Sequence, residues 1–320
     1  LVSFEDRQYE RRNGESILDA LLRHGVEVSY SCKAGSCGAC MLRATEGAVP
    51  ERAQAGLKDT WKARGYFLSC VCQPEGDLAV AAAEADTQMA AVLVALDGIG
   101  TDVLRVRLLV EGAFAFRAGQ YVTVRSPIGV ARSYSIASLP EDGLVELHVR
   151  MIAGGRMSGW LREQARIGDR VWVQGPCGDC FYLPGNAEQP LLLAGTGTGL
   201  APLYGIVRDA LRSGHRGPVR LFHGALRPEG LYFRDELGEL ASDHENFEYV
   251  ATVLSGGEPD SGVEVGEIDK VIHGRLPDLK GWRGYVCGDP NLVQKLKKKF
   301  FLSGMAMRDI HADAFVPSAS

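Results

Sequence analysis

No run in this chain approaches the roughly 18 consecutive apolar residues that a membrane-spanning helix needs. The best candidate, Met89-Ala-Ala-Val-Leu-Val-Ala-Leu96, ends after eight residues and follows Glu84 and Asp86. An excess of one charge is also lacking: 35 basic residues stand against 40 acidic ones, a net −5, so the balance does not point to nucleic acid. Histidine is sparse, and the seven present show no ligand spacing. None of the cysteines begins a Cys-x-His pair, which excludes a Rieske-type centre within this chain. Internal repeats and an apolar signal core at the start are absent too, so the expected location is the cytoplasm. What remains is ordinary globular composition, 46% hydrophobic and 23% charged over 320 residues. That length alone suggests about two domains.

The eight cysteines, at 32, 37, 40, 70, 72, 177, 180 and 287, are the first positive signal. Cys32-x4-Cys37-x2-Cys40-x29-Cys70 has the spacing of a plant-type [2Fe–2S] site, three ligands on one loop and a fourth from afar. Gly35 and Gly38 let that loop fold tightly, so that amides point at the sulfurs. A disulfide framework belongs to small secreted domains, and zinc prefers two Cys-x2-Cys knuckles, whereas the second pair here is Cys70-x-Cys72. Either Cys70 or Cys72 suits the fourth position; Cys70 is chosen because Gly65–Cys70 reads as a strand delivering it. Cys177-Gly-Asp-Cys180 reads as a turn between strands.

Three units follow from the pattern: 1–86, 92–187 and 188–320. The first opens its helix at Ser16, stops it at Gly25, and ends in an alanine-rich linker over 81–91. The second alternates short strands (103–110, 121–124, 144–150, 170–173) with glycine turns, which predicts a β-barrel interrupted by one helix near 157–164. The third alternates strand and helix, which predicts a parallel α/β sheet.

Gly195-Thr-Gly-Thr-Gly-Leu-Ala-Pro202 joins a buried strand to a helix, where glycines admit a pyrophosphate and the helix N-terminus supplies amides. A nicotinamide gives up two electrons at once and a [2Fe–2S] cluster takes one, so a flavin is expected between them. Arg132-Ser133-Tyr134-Ser135 supplies a cation and a ring on one strand face and a hydroxyl for a ring nitrogen. Gly154-Gly155-Arg156-Met157-Ser158 opens the barrel's helix as a second anion site.

Together these motifs resemble the ferredoxin–NADP⁺ reductase superfamily. More narrowly, the chain is similar throughout to the three-domain reductase components of aromatic-ring dioxygenases and multicomponent di-iron monooxygenases. The resemblance implies a multidomain α+β and α/β protein: an N-terminal β-grasp [2Fe–2S] ferredoxin, a Greek-key flavin barrel and a C-terminal nicotinamide-nucleotide domain. It implies FAD held by Arg132, Ser133, Tyr134, Ser135, Gly155, Met157 and Ser158. It implies NADH or NADPH held by Gly195, Thr196, Gly197, Thr198, Gly199, Pro202 and by the turn Cys287-Gly288-Asp289-Pro290. Tyr134, Ser135, Cys287 and Phe315 would stand at the reacting rings, Phe315 through the end segment Asp313-Ala-Phe315. Arg227 and Glu229 both stand in range of the adenosine ribose, and NADH is the expected donor. The implied acceptor is an oxygenase component, Rieske or di-iron, or its ferredoxin. A sugar dehydrase, a cytochrome P450 or a non-turnover redox sensor are the alternatives. A monomer is expected, with neither nucleic acid nor membrane as partner. The lysines at 295, 297, 298 and 299 read as a solvated helix face.

Overall fold

A computed structural model describes residues 1–5, 7–57, 59–83, 88–257 and 262–315. Its first sheet comprises β1 (Val2–Phe4), β2 (Arg7–Tyr9), β3 (Met41–Glu46), β4 (Tyr66–Leu68) and β5 (Leu78–Ala82), ordered β2-β1-β5-β3-β4. Strands β1 and β5 run parallel and the other pairs antiparallel, the β-grasp arrangement. Helix α1 (Ile17–Arg23) starts at Ser16, whose hydroxyl accepts the Asp19 N–H at 3.1 Å. Its Ile17 and Leu21 join Leu42, Phe67 and Leu78 in a core beneath the sheet. Helix α2 (Asp59–Ala63) is a single short turn.

Strands β6 (Met89–Gly98), β7 (Val103–Val110), β8 (Tyr121–Arg125), β9 (Ala131–Ser135), β10 (Val145–Arg150) and β11 (Arg170–Cys177) form the second sheet, with helix α3 (Arg156–Glu163) between β10 and β11. The order is β10-β7-β6-β11-β8-β9, all antiparallel, and a bridge between Ile136 and Leu147 closes it into a Greek-key barrel. The linker expected over 81–91 is therefore shorter. Residues 81–82 finish β5 and 89–91 begin β6, because Ala91 and Leu93 are buried in the barrel; residues 84–87 lie outside the described set.

The third sheet is parallel throughout, ordered β15-β14-β13-β12-β16-β17. Its strands are β12 (Leu191–Thr196), β13 (Val219–Ala225), β14 (Phe247–Val253), β15 (Val263–Val265), β16 (Arg283–Gly288) and β17 (Ile310–Ala314). Helices α4 (Leu200–Arg212), α5 (Arg234–Asp243), α6 (Ile268–Arg275) and α7 (Pro290–Leu302) cover its faces. Strand order reverses at β12, with β13 on one side and β16 on the other, so a crevice opens at the carboxyl ends of β12 and β16. Among the described residues no helix is long and apolar enough to cross a membrane.

Candidate functional site

The loop between α1 and β3 turns twice through left-handed glycine, at Gly35 and Gly38, both with φ of +73°. These turns aim backbone amides at sulfur. The Ala34 N–H donates to Cys32 Sγ at 3.3 Å and the Cys32 N–H to Cys37 Sγ at 3.5 Å. The Gly35 N–H faces Cys70. The four thiols are free and fall into two hydrogen-bonding pairs, Cys32 with Cys37 and Cys40 with Cys70. Within the pairs, hydrogen bonds from Cys37 and Cys40 draw the Cys32 and Cys70 thiols below the ordinary cysteine value, the loop amides helping. Two pairs suit two irons, each taking two thiolates, and amide donors compensate the charge. No three His, Cys, Asp or Glu groups among the described residues could hold a single metal ion. Cys70 arrives on a 3₁₀ turn, Ser69–Val71, rather than on the strand itself, while Cys72 is buried in the apolar core under α1. Burial pushes the Cys72 thiol up to about 12.

A cavity of about 1670 Å³ runs from this loop to the crevice of the parallel sheet. At one end it is lined by Cys32 and Cys37, in the middle by Arg132, Ser133, Tyr134 and Ser135, and at the far end by Thr196, Gly197 and Thr198. Gly155, Met157, Ser158, Arg227, Gly288, Asp289 and Phe315 also border it. Tyr134 packs against the barrel core. Arg132 borders the cavity, and its Nη1 donates to the Ala131 carbonyl at 2.8 Å and the Tyr30 carbonyl at 3.4 Å. A second cation, Arg125, lines the same wall; burial lowers its pKa, and no carboxylate among the described residues pairs with it. Helix α3 has no side-chain cap at Gly155, so its first amides are open to an anion. Unpaired cations, a free helix start and this volume suit a flavin dinucleotide.

Not every expected residue faces the cavity. Gly195 and Gly199 are required by packing: a Cβ on either would stand 2.8 or 2.4 Å from the Cys287 carbonyl. Pro202 is buried in the first turn of α4. Ser158 and Asp289 do border the cavity, but their polar groups are engaged: the Ser158 hydroxyl donates to the Ile152 carbonyl at 2.9 Å, and the Asp289 carboxylate caps α7 by accepting the Asn291 N–H at 2.9 Å. Cys287 is wholly buried, its Sγ 3.7 Å from Cys180 Sγ, which places it one layer behind the wall. Cys180, expected in an idle turn, is thus part of the contact between barrel and parallel sheet. Lys295 and Lys299, expected on a solvated face, are tied to the buried carboxylate of Asp269, Lys295 at 2.8 Å.

Four residues escaped the sequence reading: Tyr121, Thr123 and Arg125 on β8, and Asp313 on β17. The Ser135 hydroxyl donates to Asp313 at 2.8 Å. Burial pushes the Asp313 carboxyl above the ordinary aspartate value, against the opposing effect of that hydrogen bond. The Phe315 N–H donates to the Gly288 carbonyl at 2.8 Å, which pins the end segment over the crevice.

Residues 3–75 match the 2Fe-2S iron-sulfur cluster binding domain family, 90–182 the oxidoreductase FAD-binding domain family and 193–298 the oxidoreductase NAD-binding domain family. Fold and site together define an NAD(P)H-dependent flavoprotein oxidoreductase that carries its own iron–sulfur domain. The chain belongs to the three-domain ferredoxin–FAD–NAD reductases of the ferredoxin–NADP⁺ reductase superfamily. It is 36% identical to the naphthalene 1,2-dioxygenase system ferredoxin–NAD(P)⁺ reductase component of Pseudomonas putida, over 95% of this chain and 94% of that one. It is also 36% identical to the aromatic O-demethylase reductase subunit of an Amycolatopsis strain, over 99% of both. Among solved structures, an Amycolatopsis cytochrome P450 reductase superposes with a TM-score of 0.71 at 35% identity, covering 99% of this chain and 98% of that one.

Proposed function

We propose that this reductase draws electrons from NADH and delivers them to the oxygenase component, or its ferredoxin, of an aromatic-compound oxygenase system in the cytoplasm. The observation that carries the reading is the single cavity bordered in turn by the thiol loop, the Arg132–Ser135 strand and the Thr196–Thr198 turn. When bound, the nicotinamide supplies an electron pair, the flavin divides it, and the cluster passes single electrons outward. Cys32, Cys37, Cys40 and Cys70 hold the cluster. Arg125, Arg132 and the start of α3 would hold the pyrophosphate of FAD, and Tyr134 would supply a ring face for its ring system. Ser135 and Asp313 form a hydrogen-bonded pair on the cavity wall, where they would hold a proton beside the reacting rings. Phe315, at the border of the cavity, would pack beside those rings.

Arg227 favours a 2′-phosphate; Glu267 and Asp269 on the same cavity count against one, in part only, because Lys295 pairs with both. NADH is therefore assigned as donor, and Arg227→Ala is expected to raise the NADH-over-NADPH ratio of kcat/KM by about ten-fold. A parental preference for NADPH refutes the assignment. For the cluster, Cys70→Ser is expected to lose iron and the visible absorption of the cluster, while Cys72→Ser keeps both. For the acceptor, the reduced protein is mixed with a Rieske oxygenase, its ferredoxin, or a cytochrome P450. The second reading, a P450 acceptor, is favoured by the likeness to a cytochrome P450 reductase. Faster oxidation by the P450 selects it.

A further inference from the structure

We propose that Thr123, on the outer face of the flavin barrel, is a positioning residue for electron transfer from the flavin site to the cluster site. The proposal rests on the reductase reading and deepens it. Strand β8 alternates. Val122 and Val124 point into the barrel core, so Tyr121, Thr123 and Arg125 share the opposite face. An antiparallel barrel ordinarily leaves that face to water. Here all three residues meet the thiol-bearing domain. The Tyr121 hydroxyl donates to the Ser36 carbonyl at 2.8 Å, and Thr123 Oγ1 donates to the Cys37 carbonyl at 2.7 Å. Arg125 donates to the Ser29 hydroxyl.

Ser36 and Cys37 are consecutive, so two residues of the strip grip a segment whose cysteine also borders the cavity. Thr123 is only 3% exposed, which makes its bond a buried one. On its other side, Thr123 Oγ1 lies 3.0 Å from Ser133 Oγ, its direct register partner on β9. A threonine hydroxyl has one proton, and the Cys37 carbonyl takes it, so Ser133 must donate to Thr123. Ser133 stands between Arg132 and Tyr134 on the cavity wall. A continuous line of hydrogen bonds therefore runs from the flavin strand through Thr123 to a thiol ligand residue. Electron transfer between two sites falls steeply with their separation and with any break in packed contact. A hydroxyl that clamps the ligand backbone onto the flavin strand sets both.

Thr123→Val keeps the shape and removes the donor, leaving the Cys37 carbonyl buried without it. That loss is expected to lower the closely docked population, and with it the rate of cluster reduction, by about ten-fold. The test uses the full-length holoprotein, mixed anaerobically with NADH in a stopped-flow instrument. In Thr123→Val, flavin bleaching is expected at the parental rate and cluster bleaching about ten-fold slower. Without NADH, hydrogen–deuterium exchange at the amides of residues 36–40 is expected to rise. Thr123→Ser retains the hydroxyl and is expected to restore both readouts. Tyr121→Phe removes the adjacent bond from a less buried position and is expected to move both readouts the same way, less far. It carries the test if Thr123→Val does not fold. An unchanged cluster phase, equal slowing of both phases, or Thr123→Ser behaving like Thr123→Val each overturns the proposal. Failure of the reductase reading looks different: the parent itself would show no cluster phase.

Discussion

The barrel has two seams, and they are built from different materials. Toward the parallel sheet the joint is a continuation of the core. Val103, Cys180 and Tyr182 of the barrel pack with Leu203, Ile206, Tyr232 and Cys287. The His148 ring stands edge-on to Tyr232 and Phe233, with centroids 5.3 and 5.0 Å apart. Toward the thiol-bearing domain the apolar contact shrinks to Cys37, Ala39 and Ala131, with Cys32 and Tyr121 beside them. The work there falls to hydroxyls meeting carbonyls. Apolar burial is lost when a seam opens, whereas hydrogen bonds are largely exchanged for bonds to water. The nicotinamide seam is therefore a fixed wall of the cavity, and the ferredoxin seam is a polar latch that sets a distance.

Substitutions can break this contrast. At neutral pH the largest effect is expected from Gly205→Val on α4, because a Cβ there would stand 2.9 Å from both the Ala118 Cβ and the Ala137 carbonyl. Overpacking of this kind costs about 1–3 kcal/mol, readable as a drop in urea midpoint. An unchanged midpoint would show the wall to be looser than described.

Acid titration gives the next effect. Burial pushes the His223 imidazole down to about 3 from its usual 6.5. A base with a lowered folded value is protonated first in the unfolded chain. Its contribution to stability is complete above the ordinary histidine range and is lost as pH falls toward about 3. The slope is about 1.4 kcal/mol per pH unit. Serine and threonine hydroxyls at the ferredoxin seam do not titrate there. His223→Asn should flatten the acid limb of stability measured by denaturant unfolding, and an unflattened limb would move the cause elsewhere.

The smallest effect is expected at the rim. Arg208 meets both oxygens of Asp142 at 2.9 Å, with side chains 28% and 31% exposed. Asp142→Asn should cost about 0.5 kcal/mol, because water screens the pair. A loss several times larger would make the rim, and not the aromatic centre, the strength of that seam.

Much of the site was legible because its signals are local. The Cys32–Cys40 loop, the Arg132–Ser135 strand and the Gly195–Pro202 turn each carry their chemistry within about ten residues. The first two strands and the last were not legible. Strands β1 and β2 have three residues each, too few for alternation to register. Strand β17, Ile-His-Ala-Asp-Ala, reads as polar because it is an edge strand, paired only with β16. Asp313 carries no local signal, since nothing near it in sequence marks it as the partner of Ser135.

By itself, the sequence determined which cofactors this protein is built for and in what order along the chain, because ligand loops and anion-binding turns are set by backbone chemistry over a few residues. Tertiary structure alone decided which cysteine turns toward the thiol loop and which into the core. It also joined Thr123 to Cys37 across 86 positions, Cys180 to Cys287 across 107 and Ser135 to Asp313 across 178. The face a strand residue presents is legible from alternation, but what covers that face depends on how separate sheets dock, and no local pattern encodes the docking.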